Sequence, residues 1–220
     1  MILEGKKINF LGDSITEGHG TSAPEKVFHQ IIKERYKLKE ARNYGIGGTR
    51  IARQTAPSLS ERHDLDFNLR APEMDDDADV VVVFGGTNDF GHGDANVGTM
   101  SDRGLYTFYG ACHSLCQTLI DKYPTSRIVF MTPLHRLCED LVGGTAQLKK
   151  DIDAPLKVYV DAIREVCACY SIPIIDLYAT SGLQPNVDII KEKYVPDGLH
   201  PNDAGHEILA EVVANALLSL

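Results

Sequence analysis

Tryptophan is absent from this 220-residue sequence, and no apolar run approaches the length of a membrane span. About 20 apolar residues in succession are needed to cross a bilayer; runs here stop at the length of Val80–Phe84. The opening residues, Met1 to Lys7, lack the basic start and apolar stretch of a secretory leader. A cytoplasmic location without stable membrane association is therefore expected. Basic residues are also in short supply, with 22 Lys and Arg against 31 Asp and Glu and a net charge of −9. Nucleic acid and anionic membranes both reward a basic patch, so neither is an expected partner. Cysteine is sparse and odd in number. Five thiols, at 112, 116, 138, 167 and 169, read as reduced rather than as a disulfide framework. Cys112 and Cys116 are four apart and suit one helix face as small core residues; zinc would need further ligands near them.

What is present describes an ordinary globular chain, 43% hydrophobic and 24% charged. Its length suits a single domain over residues 1–220 and a core that needs no crosslinks. No repeat, low-complexity tract or linker interrupts it. Five apolar runs read as strands: Ile8–Leu11, a weaker Ala41–Ile46, Val80–Phe84, Arg127–Thr132 and Pro173–Asp176. Helical spacing covers Glu25–Tyr36, Leu105–Lys122, Ala154–Tyr170 and Asp203–Leu218. Unbroken apolar strands alternating with helices predict an α/β fold with one doubly wound parallel sheet. The run Asp75-Asp76-Asp77-Ala78-Asp79 reads as a solvated turn. Two long connections, 90–103 and 134–153, are candidates for functional loops.

In such a sheet, ligands bind beyond the carboxyl ends of the strands. Small, polar and titratable residues gather there: Gly12-Asp13-Ser14-Ile15-Thr16, Gly45-Ile46-Gly47-Gly48-Thr49, Gly85-Gly86-Thr87-Asn88-Asp89 and, further on, Asp197-Gly198-Leu199-His200-Pro201. A serine esterase needs a nucleophile, a base, a group that orients the base, and donors for the developing oxyanion. Ser14 in its tight turn suits the nucleophile and also offers a backbone N–H. His200 suits the base, and Asp197, three residues earlier, its orienting carboxylate. Gly48 can bring a backbone N–H to the reaction centre, and Asn88 an amide N–H.

These four blocks, in this order from residue 12 to residue 202, resemble the SGNH or GDSL hydrolase family of esterases, lipases and acylhydrolases. The resemblance implies a flavodoxin-like three-layer α/β/α sandwich with a five-stranded parallel sheet. It implies hydrolysis of a small-molecule ester without metal or other cofactor, with Ser14, His200 and Asp197 as the catalytic residues. The oxyanion hole would be the Ser14 and Gly48 N–H groups and the Asn88 side chain. Motif order selects Gly48, although Gly45 and Gly47 are close rivals. Asp13 and Asp89 are motif members suited to holding loops by hydrogen bonds.

Thr49, Arg50, Phe90, His92 and Leu134, with Asp13 and Asp89, are candidates to line the substrate pocket by position. Arg50, if exposed at the mouth, could meet a substrate carboxylate or phosphate. His206 reads as a helix-surface histidine. The 90–103 loop has few apolar residues to line a channel, which favours short acyl or O-acetyl esters over lysophospholipids and thioesters. Two other classes stay open. One is a metal-dependent phosphoesterase built on Asp13, Asp89, Asp197 and His200. The other is a non-catalytic carbohydrate-binding module. No G-x-S-x-G elbow, phosphate loop or complete G-x-G-x-x-G is present.

Overall fold

A computed structural model describes residues 1–141, 145 and 154–220. Residues 142–144 and 146–153 of the expected 134–153 connection, Gly143-Gly144 included, lie outside the described residues. The sheet consists of β1 (Lys7–Gly12), β2 (Glu40–Gly45), β3 (Val80–Phe84), β4 (Arg127–Met131) and β5 (Ile174–Ile175). Its order is β2-β1-β3-β4-β5, and every pairing is parallel. That is the flavodoxin-like order, with the switch in strand direction of travel between β1 and β3. The helices among the described residues are α1 (Ser14–Glu17), α2 (Phe28–Tyr36), α3 (Phe67–Arg70), α4 (Thr87–His92), α5 (Phe108–Lys122), α6 (Leu156–Cys169), α7 (Leu177–Thr180), α8 (Asp188–Tyr194) and α9 (Asp203–Ser219).

The sequence of β3 explains why the sheet is covered on both faces. Alternate side chains of a strand point to opposite faces, and all five residues of β3 are apolar and buried. Val81 and Val83 join a core with α5 and α6; Val80, Val82 and Phe84 join a second core with α2 and α9. The β2 edge strand is polar, as an edge strand can be. Arg42 on β2 bonds Asp77, and Asp79 accepts the Lys7 backbone N–H at 2.8 Å. Lys6 and Lys7 also pair with Asp79 and Asp77. The acidic run is the solvated turn that the sequence suggests, with Asp75, Asp76 and Asp77 exposed, and its ion pairs also tie β1 and β2 to the start of β3.

The long helices begin where a cap is available. Thr107 accepts from the Gly110 N–H and opens α5, three residues after the expected start at Leu105. Asn202 accepts from the Gly205 N–H and opens α9. Val27 is extended and has no capping oxygen, so the helix expected from Glu25 starts only at Phe28. His206 supplies the missing acceptor: its Nδ1 receives the Phe28 N–H at 3.1 Å. A first-turn N–H has no partner within its own helix, which gives a reason for this buried histidine. His206 is fully buried, not on the helix surface as its sequence context suggested. Burial lowers its pKa to about 4, with the charge of His29 acting in the same direction.

Phe28 packs edge-on against Phe10 at 5.6 Å and Phe84 at 6.4 Å, joining α2 to the sheet. Its exposure is zero. Phe28→Ala should cost about 3–5 kcal/mol in a urea unfolding series, because a cavity of that size closes only partly. A loss below about 1 kcal/mol would mean that the α2–sheet contact is loosely packed.

Candidate active site

The parallel register brings the ends of three strands to one level. Gly12 lies beside both Gly45 and Phe84. The chain leaves β1 into α1, leaves β2 into the Gly47-Gly48 turn, and leaves β3 into α4. Gly12 allows α1 to fold back tightly, since a Cβ there would lie 2.0 Å from Thr16 Oγ1. Asp13 caps α1 by accepting the Ile15 N–H at 3.1 Å, which fixes Ser14 as its first residue.

Ser14 Oγ stands 2.9 Å from His200 Nε2, across 186 residues of sequence. His200 Nδ1 stands 2.7 Å from Asp197 Oδ2. The second Asp197 oxygen accepts the Leu199 and His200 backbone N–H groups at 2.8 and 2.7 Å, so one carboxylate shapes the turn and orients the ring. Partial burial pushes the Asp197 pKa up, but the bonds from His200 and Leu199 outweigh it and hold the carboxyl below its ordinary range. Such a hydroxyl–imidazole–carboxylate chain can pass a proton from the hydroxyl to the ring while the carboxylate steadies the imidazolium.

Asn88, on α4, donates from Nδ2 to the Thr49 carbonyl at 3.0 Å. Gly48 has φ +77°, and a Cβ there would lie 2.3 Å from the His63 ring. Gly45 N–H donates to Asn43 Oδ1 at 2.8 Å and Gly47 N–H to Glu17 Oε2 at 2.6 Å. Gly48 N–H has no acceptor among the described residues. Glu17 also pairs with His19 and Arg62. Burial raises its pKa, but Arg62, the Gly47 N–H and His19 more than offset this and leave it lowered.

The pocket candidates separate on inspection. His92 reaches Asn88 Oδ1 through Nε2 at 3.2 Å and lies with its ring 5.6 Å from that of His63. Leu134 is buried in a recess shared with Asp13, Ile15 and Leu199. Thr49 is buried; its hydroxyl donates to Ile46 O and accepts from Arg70. Two side chains, Arg50 and Phe90, differ from the sequence expectation, and Asp89 takes the loop-holding one of its two expected parts. Arg50 is 3% exposed rather than free at the mouth, because Asp64, Ser58 and the His63 carbonyl bind its guanidinium. Phe90 faces the core, 6.1 Å from Tyr159 and beneath Arg136. Asp89 turns its carboxylate to the Ile51 and Ala52 N–H groups at 2.9 and 2.8 Å, bracing the loop after Thr49.

Four further residues of the site lay outside the sequence reading. Arg70 donates to Gly12 O at 3.1 Å, Thr49 Oγ1 at 2.9 Å and Tyr44 O, tying together the ends of β1 and β2. Arg136 donates to Thr87 O and Oγ1 at 3.1 and 3.2 Å and so fixes the start of α4. His63 covers Gly48, and the His19 ring lies 5.6 Å from that of His200. No motif spacing marks these four; contact across loops brings them in. Among the described residues no three His, Cys, Asp or Glu side chains gather as metal ligands. The carboxylates that a metal reading would use are engaged with backbone amides.

The model of the GDSL-like lipase/acylhydrolase family matches residues 10–208. The chain belongs to that family and is an ester-bond hydrolase. Nothing among curated proteins matches it. A solved protein of Lactobacillus plantarum is 28% identical, covers 98% of each chain and superimposes with a TM-score of 0.83. The acetyl xylan esterase AlAXEase is 24% identical over 96% of this chain and 99% of its own, with a TM-score of 0.63. A two-domain esterase active on acetylated mannans is 21% identical over 98% of this chain and 49% of its own, with a TM-score of 0.62. At these identities the two esterases speak to the fold. Among the described residues no helix is long and apolar enough to cross a membrane.

Asp13 supplies a pH test of this geometry. Burial is the main cause that lifts its pKa to about 7, with Asp89 adding to it and the Ile15 N–H, Arg70 and Arg136 opposing. The folded state therefore favours the protonated acid. Its contribution to stability is complete below the unfolded value near 3.8 and is lost as pH rises towards 7. Asp13→Asn keeps an oxygen for the Ile15 N–H and removes the ionisation. Thermal melts from pH 4 to pH 8 should show the parent losing stability relative to the variant as pH rises. Parallel curves would mean that Asp13 titrates normally.

Proposed function

We propose that the chain cleaves carboxylic esters through an acyl-enzyme on Ser14, acting on short acyl groups such as the O-acetyl groups of carbohydrates. The observation that carries this reading is the unbroken chain Ser14 Oγ–His200 Nε2–Asp197 Oδ2, at 2.9 and 2.7 Å. With its Nδ1 proton held by Asp197, His200 presents an Nε2 lone pair to the Ser14 hydroxyl. Ser14 Oγ attacks the ester carbonyl as its proton passes to Nε2. The tetrahedral oxyanion is met by the Ser14 N–H, the Gly48 N–H and Asn88 Nδ2. His200 then returns the proton to the departing alcohol. A water deprotonated by the same nitrogen attacks the acyl-enzyme and releases the acid, restoring Ser14.

Two further features support the assignment. Among the three candidate glycines, the amides of Gly45 and Gly47 are already engaged, which leaves Gly48 as the donor. The His63 and His92 rings stand beside Gly48 and Asn88 and limit the room next to these donors, which favours a small acyl group. The same loop leads to a groove of about 370 Å³ whose lining mixes polar side chains, Arg53, Gln54 and Asp64 among them, with the apolar Ala56, Pro57 and Leu69.

A fluorophosphonate probe should label Ser14 stoichiometrically, and p-nitrophenyl acetate should be hydrolysed equally with and without EDTA. Ser14→Ala should lose both labelling and release while keeping its fold. Asn88→Ala should reduce turnover by about 10²–10³, the usual cost of one oxyanion donor. Folded protein that neither labels nor releases acetate would overturn the serine mechanism; activity abolished by EDTA would point to a metal-dependent one.

A further inference from the structure

We propose that Arg50 and His92 form a hydrogen-bond relay that holds the Asn88 amide in the one orientation that presents N–H to the reacting oxygen. The relay rests on the oxyanion role assigned to Asn88 above. It follows from which atoms can only donate and which can only accept. Arg50 donates from one guanidinium nitrogen to His92 Nδ1 at 3.3 Å. A guanidinium has no lone pair to offer, so Nδ1 must be the unprotonated nitrogen and Nε2 must carry the hydrogen. That Nε2–H faces Asn88 Oδ1 at 3.2 Å and donates to it. At the far end, Asn88 Nδ2 donates to the Thr49 carbonyl at 3.0 Å, and a carbonyl can only accept.

The two ends therefore impose the same amide orientation. A flipped Asn88 would set its N–H2 against the His92 N–H and its oxygen against the Thr49 carbonyl, two repulsive contacts at once. In the relay's orientation one Nδ2 hydrogen is held by Thr49 and the second stays available. Arg50 is itself immobilised by Ser58 Oγ at 2.6 Å, His63 O at 3.0 Å and Asp64 Oδ1 at 3.0 Å. His92 stays neutral around pH 7: burial, and after it the charges of Arg50, His63 and Arg136, lower its pKa to about 4. Arg50 and His92 are positioning residues that act through Asn88, and Arg50 serves the reaction from a buried place instead of contacting substrate.

The test combines turnover of p-nitrophenyl acetate with a direct reading of the tautomer. His92→Phe keeps a ring and removes both hydrogen-bonding atoms. It should lower kcat about tenfold or more, a part of the loss of a whole oxyanion donor, with KM little changed. His92→Gln, which has one donor and one acceptor, should recover most of that loss. In an Asn88→Ala background, His92→Phe should add less than about a twofold further loss, since coupled residues are not additive. Long-range ¹H–¹⁵N spectra of the parent, with His92 assigned by its absence from His92→Gln, should show the Nε2–H tautomer near pH 7, even if His92→Phe fails to fold. An Nδ1–H tautomer or an imidazolium would overturn the relay. So would equal losses from His92→Phe in both backgrounds, or full turnover in folded His92→Phe while Asn88→Ala is impaired. Unchanged turnover in Asn88→Ala would instead sink the oxyanion reading on which the relay rests.

Discussion

The parallel register of β1 with β2 and β3 is the constraint from which the rest of this molecule follows. Parallel pairing of Gly12 with Gly45 on one side and Phe84 on the other brings three chain exits to a common level. Each exit then turns within a few residues, at Asp13-Ser14, Gly47-Gly48 and Gly86-Thr87. A slip of one residue in β3 would invert its side chains and exchange the two cores. It would also displace α4, and with it Asn88, from the Thr49 carbonyl that holds it. The buried valines of β3 therefore set the geometry of the site as well as the stability of the fold.

Around that edge the protein uses buried arginine as scaffolding. Arg50 and Arg136, and the partly buried Arg70, carry charge out of water, which is unfavourable unless acceptors surround it. Burial lowers the pKa of all three, that of Arg70 to about 10. Their acceptors are mainly carbonyl and hydroxyl oxygens at strand ends and loops, together with Asp64. A guanidinium projects several donors in a fixed plane, so one side chain can tie segments far apart in sequence. Asp13, Asp66 and Asp89 play the converse part, accepting backbone N–H groups that the turns leave without partners.

The strands were legible because parallel strands buried on both faces must be apolar throughout, as β3 is. The motif blocks were legible because each follows directly on a strand or opens a helix. The short helices α1, α3, α4, α7 and α8 have four to seven residues, too few for a helical period to show. The burial of Arg50 is not legible in the sequence because exposure depends on partners: Asp64 lies 14 residues away and reaches it only once the intervening loop folds back. The parts played by His63, Arg70 and Arg136 are hidden in the sequence for the same reason. Their targets lie up to 58 residues away and include backbone atoms, which carry no signature in the sequence. His206 looked superficial because its duty is to cap a helix that begins 178 residues earlier.

The 186-residue separation between Ser14 and His200 has a temporal consequence. A ribosome delivers Ser14 among the first residues of this sequence and His200 near the last. Until the segment bearing Asp197 and His200 docks beside α1, the Ser14 hydroxyl lacks the imidazole that it faces in the folded chain. The Ser14–His200–Asp197 contact can form only after all five strands have been synthesised, because Asp197 and His200 follow β5 in the chain.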